Sequence, residues 1–350
     1  MAKVFVGMSG GVDSSVSAGL LKRAGHDVTG VFIKVWQPDW IECNWKEERL
    51  DAMRAAAHLD IPFVTLDLVK EYKEGVIDYM IREYEAGRTP NPDVMCNREV
   101  KFGAFWRFAK SQGADFIATG HYAQNVGGEL RVSKDLNKDQ TYFLWTLTSK
   151  DLEHVLFPVG GMEKKEVRIL ANKFGLPNAH KKDSQGLCFI GKVDIKEFLR
   201  HYIKAQPGKV LNEKGDVIGS HSGSMLLTIG ERHGFTITQK TPSDAPYYVI
   251  SKDVKNNTIT VSNKENTGSL PGGTKRASIV SVNWIGEPPK AGKSLEARGR
   301  YRESLYLGKV TSKTDTTAEL EFEQAQSTIT PGQSLVMYDN GRCLGGGILV

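Results

Sequence analysis

The chain has 350 residues, 40% of them hydrophobic and 25% charged, with 36 glycines and 13 prolines; this suits two or three packed domains and excludes a disordered chain. No apolar run approaches the roughly 20 residues that cross a bilayer, and nothing near Met1 resembles a secretory leader, so a soluble, cytoplasmic protein without membrane contact is expected. Four scattered cysteines exclude a disulfide framework, and the lack of any CxxC pair argues against a structural zinc site, so no metal held by the protein alone is expected.

The first 120 residues alternate strand and helix patterns. Lys3–Met8 reads as a short buried strand, Gly10-Gly11 as a turn, and 13–23 as a helix with Val16 and Leu20 on one face. Val28–Val35 repeats the strand signal. Lys46–Leu59 is predicted helical with Leu50, Met53 and Ala57 as its apolar stripe. Ile61–Asp67 and Asp115–Thr119 are further strands. Strands separated by helices imply a parallel, Rossmann-like α/β sheet whose ligands bind beyond the carboxyl ends of the strands. Residues 163–200 read as helical again, broken by a polar loop at 180–186. After about 205, hairpin turns at 213–216, 255–257 and 339–341 flank β-branched runs such as Thr258–Val261 and Ala318–Phe322. The expected division is an α/β domain over 1–200, a mostly β domain over 201–272 and a small C-terminal β-barrel over 273–350. No internal repeat or low-complexity tract interrupts it.

Charge is unevenly placed. The net charge is +5, and residues 271–310 alone hold eight Lys/Arg against three Glu, so this stretch matches the excess of the whole chain. A nucleic-acid backbone needs such a segment, although a solvated basic surface explains it equally well.

Three segments carry chemistry. The first runs through Gly7, Met8, Ser9, Gly10, Gly11, Val12, Asp13, Ser14 and Ser15, between a strand and a helix. Its glycines let backbone approach a phosphate, and the helix start favours an anion. A Walker A loop would place a lysine after the glycines; none is present here, which points away from γ-phosphoryl transfer. The loop resembles the SGGxDS pyrophosphate loop of the N-type ATP pyrophosphatases (the PP-loop group), whose members adenylate an oxygen. Asp13, an acid within an anion site, suggests a bridging Mg²⁺.

The second segment is Thr89 to Asn97. Its two prolines and two asparagines set up turns, and Asp93 and Cys96 fall on one side of a helical turn. The third, Lys181 to Ile190, places lysines near Cys188. A thiol needs an acid or cation beside it to react, and both cysteines have one. Taken alone, either also reads as a buried structural thiol.

The combination of GMSGGVDSS, GRTPNPDVMCN, TGHYA, KDQTYFL, KKDSQGLCFI and TPGQSLVMYDNGRCLGGG resembles the tRNA-specific 2-thiouridylase family, with motifs in register from residue 7 to 347. The resemblance implies an ATP-dependent enzyme, a tRNA-uridine 2-sulfurtransferase. It would activate the C2 oxygen of the wobble uridine in tRNAs for Lys, Glu and Gln as an adenylate, then replace it with sulfur. By the same resemblance, Gly7–Ser14 holds the phosphates and Ile33 and Gly120 touch the nucleotide. Cys188 would receive sulfur as a persulfide from an upstream donor protein. Cys96 would release it, leaving a Cys96–Cys188 disulfide, with Asp93 as general acid/base. Asn91, Pro92 and Asp93 would meet the target base, and His121, Lys138, Asp139, Gln140, Arg300, Tyr301 and Gln333 would contact tRNA. Disulfide closure needs the two Cα atoms within roughly 7 Å, so loop motion is expected.

Some positions depart from the family pattern. Ile33 stands where Met is usual, Glu231 where Gln is commoner, and Glu303 where Gln is usual; both glutamates add negative charge near the presumed RNA surface. Cys43 and Cys343 lack the context of the other two cysteines, and Cys343 reads as a barrel residue. Two rivals are a PP-loop ligase adenylating a small metabolite and an RNA- or ATP-binding module without turnover. Both leave Cys96 and Cys188 without a task. A monomer is favoured.

Overall fold

The structure, a computed structural model, describes residues 1–41, 45–183, 194–238, 245–263, 273–327 and 329–350. Its first sheet is built from β1 (Lys3–Gly7), β2 (Asp27–Lys34), β3 (Phe63–Asp67) and β4 (Phe116–Ala118). A hairpin follows, β5 (Gln124–Val126) and β6 (Glu129–Arg131), then β7 (Val155–Leu156). The order β3-β2-β1-β4-β7 is parallel at every pairing. The chain winds outward from β1 through β2 to β3, then crosses to β4 on the other side. The loop after β1 therefore opens at a topological switch point, where open α/β sheets bind ligands.

Helices cover the sheet. Val12–Arg23 buries Val12 and Val16 against the later helix Lys164–Lys173. Helix Trp45–His58 departs from the expected stripe: it buries Ala52, Ala55 and Ala56, while Met53 is exposed. Alanines also recur at spacings of three and four, and their small side chains let the helix approach Gly30, whose added Cβ would meet Ala56 at 3.6 Å. Hydrophobicity alone ranks Leu and Met above Ala and selects the wrong face.

The central β unit holds β8 (Gly208–Leu211), β9 (Val217–His221), β10 (Phe235–Ile237), β11 (Tyr248–Asp253) and β12 (Thr258–Ser262), in the order β10-β9-β8-β12-β11. Next come β13 (Thr274–Trp284), β14 (Ser294–Arg298), β15 (Tyr306–Lys313), β16 (Thr317–Gln326), β17 (Ser334–Asp339) and β18 (Arg342–Leu349). They close as an antiparallel barrel through the β13–β18 pairing. The three turns expected at 213–216, 255–257 and 339–341 connect antiparallel neighbours.

One connection was not foreseen. The β5–β6 hairpin, from the α/β half, joins the barrel's sheet through β6 and β18, where Arg131 faces Arg342. One buried cluster accordingly runs from Phe5 and Ile117 in the first sheet through Leu130 and Trp145 to Val336 and Tyr338 in the barrel. Among the described residues, no helix is long and apolar enough to cross a membrane.

Candidate active site

The phosphate loop is assembled by backbone constraint. Gly10 has φ +76°, and a Cβ there would stand 2.4 Å from Glu48 O; only glycine adopts this conformation so close to another backbone. Gly120, in the loop after β4, packs directly on the helix start: its added Cβ would lie 2.7 Å from Ser14 N and 2.8 Å from Asp13 C. Ser14 Oγ donates to Gly11 O at 3.2 Å, and Ser15 Oγ to the same carbonyl at 3.0 Å. Met8 and Val12 point into the core and offer the loop only their main chain, whereas Ser9 is exposed and Asp13 half-buried. Ile33 is likewise a core side chain, its backbone paired in the sheet opposite Leu66.

Asp13 is the charged focus. Its Oδ1 accepts from Tyr122 Oη at 2.9 Å, and Lys164 Nζ reaches its two oxygens at 2.7 and 2.8 Å. Burial, then the Asp13 charge and the hydrogen bond to it, push the Tyr122 hydroxyl far above its ordinary range, so it remains a donor. Asn178 adds Nδ2 contacts to Gly10 O at 2.9 Å and Ser15 Oγ at 3.0 Å. Neither Lys164 nor Asn178 was legible as a site residue, because each approaches from a segment more than 150 positions away. The one available signal was the lysine missing from the loop.

The Cys96 segment is a helix start. Asn91 caps it, Oδ1 accepting from Val94 N at 3.3 Å, and Pro92 occupies the first turn, where a missing N–H costs nothing. Residues Pro92–Met95, Cys96–Ala104 and Phe105–Ser111 form one continuous helix whose middle is wound as a π-helix, a rare form frequent at functional sites. Asp93 and Cys96 share its first turns, and Cys96 is fully enclosed. The same helix runs beneath the phosphate loop: Phe102 lies 5.7 Å from the His121 ring, and a Cβ on Gly7 would touch Phe105 at 3.5 Å. Cys188 and Cys43 lie outside the described residues. Cys343 sits in β18, where burial pushes its thiol up to about 12.

The barrel grips the Cys96 segment from behind. Gln333 Nε2 donates to Thr89 O at 2.8 Å and to Pro90 O at 3.3 Å, while Thr89 N donates to Pro331 O at 2.9 Å. Asn97 Nδ2 donates to Phe143 O at 3.0 Å, and the Phe143 ring lies 4.5 Å from that of Tyr301. Arg300 Nη2 donates to Ile229 O at 2.8 Å and Thr330 Oγ1 at 3.2 Å, tying the central unit to the barrel.

The other expected RNA contacts divide by exposure. Asp139 is 3% exposed, and Arg298 Nη2 reaches its Oδ2 at 2.6 Å. Gln140 exchanges two 2.8 Å bonds with the backbone of Tyr122. His121 is buried, with Nδ1 2.7 Å from Thr119 Oγ1. Burial, helped by Lys101, holds its imidazole far below the ordinary range, so it is neutral. Lys138 remains partly exposed and pairs with Asp183 at 2.8 Å. The two added glutamates are compensated. Glu303 Oε2 accepts from Gly299 N and Arg300 N at 2.9 and 3.0 Å, and Glu231 pairs with Lys196.

Comparison with known proteins finds matches along nearly the whole chain. Three family models match in succession: a tRNA methyl transferase HUP domain over 2–192, a tRNA methyl transferase PRC-barrel domain over 196–263 and an aminomethyltransferase beta-barrel domain over 275–349. Among relatives, the tRNA-specific 2-thiouridylase MnmA of Listeria innocua is 46% identical over 353 residues, covering 99% of this chain and 94% of that protein. The same-named protein of Dichelobacter nodosus is 43% identical with 99% and 93% covered, and that of Thiobacillus denitrificans 44% with 99% and 99%. Identity at this level over 99% of the chain means that it belongs to the tRNA-specific 2-thiouridylase family.

Proposed function

We propose that the protein replaces the C2 oxygen of the tRNA wobble uridine with sulfur at the expense of ATP, in the cytoplasm and as a monomer. The observation that carries this reading is a single helix, 92–111, that presents Asp93 and Cys96 at its start and underlies the phosphate loop with Phe102 and Phe105. A small-metabolite ligase would use the loop but not the acid and thiol at the start of this helix.

The uridine C2 oxygen attacks the α-phosphorus and pyrophosphate leaves, converting a poor leaving group into AMP. The terminal sulfur of a persulfide on Cys188, loaded by a separate sulfur-donor protein, attacks C2 and expels AMP. The Cys96 thiolate then attacks Cys188 Sγ, the S–S bond to the transferred sulfur breaks, and the base keeps the C=S group. The remaining Cys96–Cys188 disulfide needs an external reductant. Asn91, Pro92 and Asp93 would hold the base, with Asp93 moving its proton. Lys138 and Tyr301 would face the RNA, while His121, Asp139, Gln140, Arg300 and Gln333 would shape that surface through the bonds described above.

Asp13 would hold a magnesium ion brought with the nucleotide, and such an ion would supply neutralisation of phosphate charge. A carboxylate already bound to a cation on both oxygens fits that role. Division into an α/β unit over 1–200, a β unit over 201–272 and an RNA-facing barrel over 273–350 is part of the same reading, supported by the separate sheet orders.

Incubation with ATP, a persulfide donor and unmodified tRNA is expected to yield 2-thiouridine and AMP in equal amounts, read by mass spectrometry of the digested tRNA. AMP without thiolated base would sink the proposal. Asp93→Ala should slow the reaction by about 10²–10⁴-fold; a rate within a few-fold of the unaltered chain removes Asp93 from proton transfer.

A further inference from the structure

The phosphate loop lacks a lysine, but one stands beside it. Lys164 is the first residue of helix Lys164–Lys173, the end at which the helix dipole disfavours a cation. Its backbone is pinned by Asp135 Oδ2 at 3.0 Å. Its ammonium, on a side chain 15% exposed, bridges two acids: Asp13 at 2.7 and 2.8 Å, and Asp183 Oδ1 at 2.8 Å. Asp183 also takes Lys138 at 2.8 Å and Arg168 at 2.7 Å. Burial alone would raise Asp183, but hydrogen bonds from Lys138 and Lys164 outweigh it and hold the carboxyl well below the usual range. Three cations thus face Asp13 and Asp183, with the Asp135 carboxylate on the Lys164 backbone beside them. Of the three cations, Lys164 alone touches Asp13, so it alone already reaches the loop.

We propose that Lys164 is the phosphate-binding cation of this site, and that it leaves Asp13 for the β- and γ-phosphate oxygens when ATP enters. It would do from a neighbouring helix what a P-loop lysine does from within its own loop. A compact ammonium on a flexible stem can exchange one oxyanion for another without rearranging the backbone. Asp13 is thereby freed for the metal that accompanies the nucleotide. Asp183 competes with the phosphates for the same ammonium, so its charge opposes the transfer to the nucleotide. The inference rests on the ATP-dependent reading above.

The test is equilibrium titration of the full chain with ATP, pyrophosphate and adenosine, with magnesium and without tRNA, so that no turnover intervenes. Lys164→Met is expected to weaken ATP and pyrophosphate at least ~10-fold and leave adenosine within ~2-fold. Asp183→Asn is expected to tighten ATP, and to do so less in the Lys164→Met background, because part of its effect acts through the lysine. Should Lys164→Met fold poorly, Lys164→Gln is held to the same pattern. Unchanged ATP affinity, or equal loss for adenosine, overturns the assignment while ATP binding by the unaltered chain leaves the parent reading intact. No ATP binding by the unaltered chain overturns both.

Discussion

Cys96→Ser and Cys188→Ser are each expected to abolish 2-thiouridine formation, by at least ~10³-fold, while ATP and tRNA binding persist. The two variants should fail differently. Without Cys188 no sulfur is loaded, and the reaction stops at the adenylated base. Without Cys96 the sulfur attaches to C2 but remains bonded to Cys188, so protein and tRNA stay covalently joined until a reductant parts them. Denaturing gel electrophoresis with and without reductant reads this adduct, and mass spectrometry reads the thiolated base. Substantial release of thiolated base by either variant without reductant would remove that cysteine from the pathway. Cys96 is fully enclosed, so the attack also needs the Thr89–Cys96 turn to open. Cys343→Ser is the control, since burial holds that thiol at about 12 and keeps it protonated.

The second large effect concerns stability. Arg298→Ala should destabilise the fold by about 3–5 kcal/mol, because it strands the Asp139 carboxylate in a dry interior. The side chains of Arg298 and Asp139 are 10% and 3% exposed, and the Arg298 guanidinium also donates to Tyr338 Oη at 3.0 Å. Asp139 in turn accepts from Thr141 Oγ1 at 2.8 Å and Ser133 N at 3.1 Å, so the 133–141 loop closes around it. The double variant Arg298→Met, Asp139→Asn should cost less than Arg298→Ala alone, because no buried charge is left without a partner. Urea unfolding monitored by tryptophan fluorescence measures both. A double variant less stable than the single one would refute the argument.

The basic stretch at 271–310 shows how far sequence reasoning reaches. Counting charges marks it as a phosphate-facing surface, yet Arg298 lies inside holding Asp139, and Arg300 is engaged with Ile229 and Thr330. Composition counts charges without showing which way they point. Strand and helix order in the first 120 residues was legible because buried parallel strands and turn glycines leave local marks. The hairpin turns at 213–216 and 255–257 in the central unit and at 339–341 in the barrel were legible for the same reason. The hairpin of β5 and β6 was not, since three-residue strands carry too little pattern and their partner lies some 200 positions later. Lys164 and Arg298 were missed on similar grounds: their roles depend on Asp13 and Asp139, and sequence spacing is silent about contacts that only the fold creates.

That hairpin has a consequence for how the protein is made. Val132 N donates to Gly341 O at 2.9 Å, and Arg342 pairs with Glu129 at 3.1 Å. The half synthesised first therefore waits for a strand some 200 positions later to leave the ribosome before its outer edge is covered. A prematurely terminated product would also lack Pro331 and Gln333 to brace Thr89 and Pro90, so the reactive thiol's turn would never be set. Translation runs in one direction, but competence arrives only when β18 returns to that earlier hairpin.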